Sequence, residues 1–152
     1  MSGFTDIIGS DPRDAGGACI AILGGGGKTS LLERLGREYA RCFPRVLLTS
    51  ITLSGRDRGD AAVFLEETGP GGWAARFPGR NPLFVMRRAV NQRKLEGVSE
   101  QELREMLPLA DLCIFECDGA RNLPLKAHNE RDPRVPSFAT HVVILVGADA
   151  VG

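Results

Sequence analysis

Four consecutive glycines followed by lysine and threonine, Gly24-Gly25-Gly26-Gly27-Lys28-Thr29, are the residues of this chain best suited to chemistry on phosphate. A phosphate chain needs several hydrogen-bond donors converging on it. Glycines let the backbone curl until its amides point inward, with no Cβ in the way. A helix opening at Lys28 adds its free amides and the positive end of its dipole. Lys28 can then meet the β- and γ-phosphates as a point charge, and the Thr29 hydroxyl suits Mg2+. Ser30 offers a second hydroxyl, or is simply a helix-start residue. The spacing is Gly-x-x-Gly-Lys-Thr, two residues shorter than the usual P-loop, whose first glycine would fall at Ile22.

A second constellation, Glu116-Cys117-Asp118-Gly119, follows directly on an apolar run, as the acid of a Walker-B element does. Asp118 is the expected Mg2+ partner together with Thr29. Glu116 shares its strand parity, so both acids would face one side if the strand persists. Lys28, Asp118 and Glu116 are thus the candidate catalytic groups. Lys126, with Arg121, Arg131 and Arg134 nearby, sits in a long polar loop and is a further candidate for phosphate, although a solvated loop explains these cations equally well.

These residues need a scaffold that brings both segments to one edge. Ala18 to Leu23 is apolar without alternation, as in a strand buried on both faces of a parallel sheet. Leu31, Leu32, Leu35, Tyr39 and Phe43 then recur at helical spacing up to Pro44. Val46 to Ile51 reads as the next strand, completing a βαβ unit. Ser54 to Arg80 is rich in Gly, Pro, Arg and Asp and predicts irregular structure with one short element around Ala61 to Leu65. Leu83 to Met86 reads as a strand. Ser99 with Glu102 predicts a capping box for a helix through Leu107, stopped by Pro108. Asp111 to Glu116 and His141 to Gly147 are further strands. The expected fold is α/β, a mostly parallel sheet flanked by helices and P-loop NTPase-like. Residues 1–17 are expected to be a loosely held N-terminal segment, and 18–152 a nucleotide-binding domain that lacks a C-terminal portion if the chain is part of a longer one.

The formal net charge is zero, which gives no electrostatic reason to expect nucleic acid or a membrane surface as partner. The first 17 residues carry no basic region followed by an apolar run, so a cytoplasmic location is expected. Cys19, Cys42, Cys113 and Cys117 never fall at Cys-x-x-Cys spacing and are expected to be buried thiols.

In sequence the chain resembles the selenium-dependent hydroxylase accessory proteins, also called the YqeC-type selenium cofactor biosynthesis family. The likeness rests on Gly24 to Thr29, Glu116 to Gly119, Pro124 to Ala127, Asp132 to Pro136, Thr140 to Val143 and Val146 to Gly152. Two segments depart from the pattern. Thr49 to Ser54 has fewer threonines and no lysine, and Arg131-Asp132-Pro133 stands where His-Glu-Pro is usual. The resemblance implies a nucleotide-dependent accessory role in maturing a selenium-dependent molybdenum hydroxylase. The expected ligands are Mg2+ and ATP or another NTP, ATP being favoured because no Asn-Lys-x-Asp guanine reader is present. The expected partner is the hydroxylase or its cofactor. An adaptor or chaperone that binds nucleotide or molybdenum cofactor without turnover is the alternative. If Lys28 serves only the ligand, Lys28→Ala should leave the ligand-free melting temperature nearly unchanged.

Overall fold

The computed structural model describes residues 3, 12–55, 61–118 and 135–147. In chain order these form β1 (Cys19–Gly24), α1 (Lys28–Tyr39), β2 (Val46–Ser50), β3 (Ser54–Gly55), β4 (Val63–Phe64), α2 (Leu65–Thr68), β5 (Leu83–Met86), β6 (Arg88–Asn91), β7 (Lys94–Glu96), α3 (Glu100–Met106), β8 (Leu112–Glu116) and β9 (His141–Leu145). Short 3-10 turns occupy Pro12–Ala15, Gly72–Gly79 and Leu107–Leu109. Among the described residues, six strands make one sheet in the order β4-β5-β2-β8-β1-β9, and every neighbouring pair is parallel. The expected α/β class with a parallel sheet is therefore observed.

Strands β1, β2, β5 and β8 are buried at every position, because layers cover both faces of the sheet. On one face Ile20, Ile22, Leu48 and Ile114 pack against Leu31, Leu32, Leu35 and Tyr39 of α1. On the other, Ala21, Leu47, Val85 and Phe115 meet Trp73, Phe77, Leu103 and Met106. Successive strand residues alternate between these two clusters, as the two-residue strand period requires. Edge strand β9 alternates instead between half-buried and exposed residues.

The expected βαβ unit is present: β1, α1 and β2 follow one another and both strands run parallel in one sheet, with β8 between them. One expectation needs correcting. The stretch 54–80, expected to hold one short element, contains β3, β4, α2 and the 72–79 turn. A three-stranded antiparallel ribbon, β3-β7-β6, was also not anticipated. Its β6 is exposed throughout and only Leu95 of β7 is buried, so it leaves no apolar alternation to read. The capping box at α3 is present as expected: Ser99 Oγ accepts from the Glu102 amide at 3.1 Å, and Glu102 Oε2 accepts from the Ser99 amide at 2.7 Å.

Cys19, Cys113 and Cys117 are buried thiols, whereas Cys42, past the end of α1, is exposed and corrects that part of the expectation. Cys19 and Cys113 sit side by side in the β1–β8 register. Burial holds the Cys113 thiol well above its ordinary range, and its hydrogen bond to Cys19 adds to this. Tyr39, the last residue of α1, is fully buried, and its hydroxyl has no hydrogen-bond partner among the described residues. Burial pushes its pKa from 10 up to about 12, with Glu38 adding to the effect. The folded state therefore keeps a proton that the unfolded chain loses, so the ionisation of Tyr39 has no effect on stability below pH 10 and destabilises the fold progressively from pH 10 towards 12. Tyr39→Phe is expected to raise stability by about 1 kcal/mol near neutrality, by removing an unpaired buried hydroxyl, and to flatten the alkaline loss. Thermal melts of both proteins across the alkaline range check this; a lower melting temperature for the phenylalanine variant would contradict it.

Candidate functional site

The site forms where β1 and β8 end at the head of α1. Gly24, Gly26 and Gly27 all adopt positive φ, at 103°, 73° and 78°, a region that favours glycine. Gly24 is required for a second reason: a Cβ there would lie 2.1 Å from the Leu145 carbonyl oxygen on the neighbouring edge strand. Gly27 is the N-cap of α1 and supplies no side-chain cap. The amides of Gly27, Lys28, Thr29 and Ser30 thus head a helix with no acceptor inside it. The first two loop amides are used differently, since Gly24 donates to Asp118 Oδ2 at 2.8 Å and Gly25 to the Leu145 carbonyl at 3.0 Å. Gly24 and Gly25 shape the loop, and the donors of the helix head follow them.

Lys28 is 6% exposed and folds back over the loop. Its Nζ donates to the Gly24 carbonyl at 2.6 Å and lies 2.9 Å from Asp118 Oδ1. That second contact is an ion pair by distance, without the alignment of a hydrogen bond, and Oδ1 has no other partner among the described residues. The Asp118 side chain is fully buried. Lys28 is therefore part of the fold as well as a candidate ligand contact, and the expectation that Lys28→Ala would leave the ligand-free protein unchanged does not fit this geometry. Removing the ammonium would strand a buried carboxylate.

The two acids divide in a way the sequence did not suggest. Thr29 Oγ1 donates to Glu116 Oε1 at 2.8 Å, while Asp118 faces Gly24 and Lys28. Glu116 shares strand parity with Leu112 and Ile114, which face α1, so the last residue of β8 arrives under the first turn of that helix. The hydroxyl of Thr29 is thus paired with Glu116, and Asp118, the acid expected to join Thr29 at Mg2+, is turned to the loop and Lys28. Among the described residues no group of three or more His, Cys, Asp or Glu side chains could hold a metal by itself. Magnesium does not demand one, because it commonly takes one or two protein oxygens, waters and the phosphates of its substrate. Cys117, between the acids, points to the opposite core. Burial pushes its thiol up to about 11, with Asp118 and Glu100 adding to the effect, so it stays protonated and unreactive near neutrality.

The structure thus brings Gly24 to Ser30, Glu116 and Asp118 together at the carboxyl edge of the parallel sheet, where ligands of such folds sit. Lys126, Arg121, Arg131 and Arg134 lie outside the described residues. The Asp118–Gly24 bond was not legible from spacing, because it joins residues 94 apart.

A family model described as "YqeC protein" matches residues 20–152, which spans both halves of this site. The chain belongs to the YqeC family. Within that family, it is 29% identical over 136 residues to a protein of Escherichia coli (strain K12) called "Uncharacterized protein YqeC", the match covering 88% of this chain and 53% of the relative. The chain therefore spans about half the length of that relative. No solved structure matches. No helix among the described residues is long and apolar enough to cross a membrane.

Proposed function

We propose that this YqeC-family chain binds a magnesium-bound nucleoside triphosphate, with ATP favoured, on the loop and first helical turn from Gly24 to Ser30. The observation that carries the reading is one cluster at the sheet edge: positive-φ glycines, the uncapped head of α1, Lys28, and the Thr29–Glu116 oxygen pair. Anions are stabilised at such a helix head by unsatisfied amides and the dipole. Lys28 supplies the compensating charge. Thr29 and Glu116 would hold the Mg2+, which when bound neutralises charge on the β- and γ-phosphates. Asp118 acts one step back: it positions Lys28 by the ion pair and fixes the loop through the Gly24 amide.

Following the family resemblance, the role we assign is that of an accessory protein in maturing selenium-dependent molybdenum hydroxylases, with slow NTP hydrolysis in which Lys28, and Mg2+ held by Thr29 and Glu116, would stabilise charge on the γ-phosphate. One observation favours the second reading, a non-hydrolysing adaptor or chaperone for nucleotide or molybdenum cofactor. Glu116 and Asp118 are both engaged with the loop itself, so neither is poised on a water. Mg-ATP at about a hundred times its Kd is expected to stabilise the protein by about 2.7 kcal/mol. For a domain near this size that is a rise of about 5 to 10 °C in melting temperature. Phosphate release measured on the same samples separates turnover from binding alone. A melting temperature unmoved by Mg-ATP, Mg-GTP and Mg-CTP alike would remove the nucleotide reading.

A further inference from the structure

A cavity of about 270 Å³ opens at the far end of the same sheet edge. Leu65 and Glu66 follow directly on β4 and Arg87 directly on β5, so it lies at the carboxyl ends of those strands. With β2 and β8 between β5 and β1, it stands three strand spacings, about 14 Å, from the glycine loop. Its floor is apolar: Leu65, Pro70, Trp73 and Met106. Its rim is charged, with Glu66, Glu102 and Glu105 facing Arg87.

The charge at the rim decides what would fit. Just outside it, Arg88 pairs tightly with Glu96, Nε to Oε2 at 2.5 Å, so these two cancel. Arg88 stands back from Glu66 at 3.8 Å. Arg87 is no closer than 3.9 Å to Glu96 and to Glu102, and meets neither in a tight pair. Glu102 also accepts from the Ser99 amide, and Glu105 from Gln101, neither of which brings a positive charge. Three carboxylates against one loosely held guanidinium leave the mouth electronegative over an apolar floor. Phosphates and carboxylates are repelled there, whereas a ligand with a cationic head and a hydrocarbon body satisfies both surfaces.

We propose that this cavity binds a small organic ammonium compound, its amine at the glutamate rim and its apolar body over Leu65, Pro70, Trp73 and Met106. The site is independent of the nucleotide reading. Trp73, which lines this cavity, is the chain's single tryptophan, so the emission signal comes from its wall. The test titrates the full chain with phenethylammonium, the neutral 2-phenylethanol and the anionic 3-phenylpropionate, with and without Mg-ATP. Phenethylammonium is expected to change the emission saturably and bind at least tenfold more tightly than the alcohol, with the carboxylate weakest. The double variant Glu66→Gln, Glu105→Gln is expected to weaken it at least fivefold with an unchanged melting curve, and Mg-ATP to leave its affinity as it is. No saturable response, equal binding of the three probes, tighter binding of the carboxylate, or full affinity in the double variant would overturn the proposal.

Discussion

Lys28→Ala is expected to lower the melting temperature of the ligand-free protein substantially and to abolish its response to Mg-ATP. The first effect follows from the fold: Nζ, inside a residue only 6% exposed, is the counter-charge of a fully buried Asp118 side chain. Removing one partner of a buried pair costs about 3–5 kcal/mol, because an uncompensated charge is left behind. At about 2–4 °C per kcal/mol for a chain of this size, the loss is roughly 6 to 20 °C. The second effect follows from the site, since the same ammonium is the charge offered to phosphate. The two are separable. Lys28→Met with Asp118→Asn removes both charges and is expected to recover most of the stability, because exchanging a whole buried pair is far cheaper than breaking it. Nucleotide response should not return in that double variant. Thermal melts of the single and double variants, each with and without Mg-ATP, check both parts. A single variant that melts like the parent would mean that Asp118 has another partner, and a double variant that still responds would place phosphate elsewhere.

Gly24→Ala should be comparably damaging for a steric reason. A Cβ at that position falls 2.1 Å from the Leu145 carbonyl oxygen and 2.9 Å from its amide nitrogen, both backbone atoms of β9, so no side chain can swing aside to relieve it. The φ of 103° adds strain of about 1–3 kcal/mol for any residue with a Cβ. A total above about 3 kcal/mol is expected, as β9 must separate from β1 at its end. The Gly25 amide would also lose its Leu145 acceptor, and Asp118 its tie to the loop. Hydrogen exchange should show the amides of Val143 to Leu145 losing protection before those of β2 or β8. Unchanged protection in β9 would contradict the close approach of the two backbones.

Much of this was legible in the sequence wherever burial wrote a pattern. The apolar runs of β1, β2, β5 and β8 are unbroken because both faces of those strands are covered, and the helical stripe of α1 is plain because one face meets Ile20, Ile22 and Ile114. The Ser99–Glu102 capping box is a local motif and could be read directly. Strand order could not, because which strands neighbour one another depends on contacts across the whole chain. So β8 between β1 and β2 went unread, as did the exposed ribbon β3-β7-β6. The same limit applied inside the site. The glycine loop, Lys28, Thr29 and the two acids were visible as residue types, but the pairing of Thr29 with Glu116, and of Lys28 and Gly24 with Asp118, spans about ninety residues and rests on how far β8 runs before it turns. Of the two acids, the sequence favoured the one followed by glycine, and the fold instead gave the hydroxyl partner to the last residue of the strand.

The central claim, that the loop and the Thr29–Glu116 pair together hold a metal-bound nucleotide, is tested most directly by calorimetric titration of ATP into the parent protein and into Glu116→Gln, with and without Mg2+. The account predicts one saturable site per chain that needs Mg2+ and is weakened at least tenfold in Glu116→Gln. Absence of saturable binding in the presence of Mg2+, or binding indifferent to both the metal and the substitution, would contradict it.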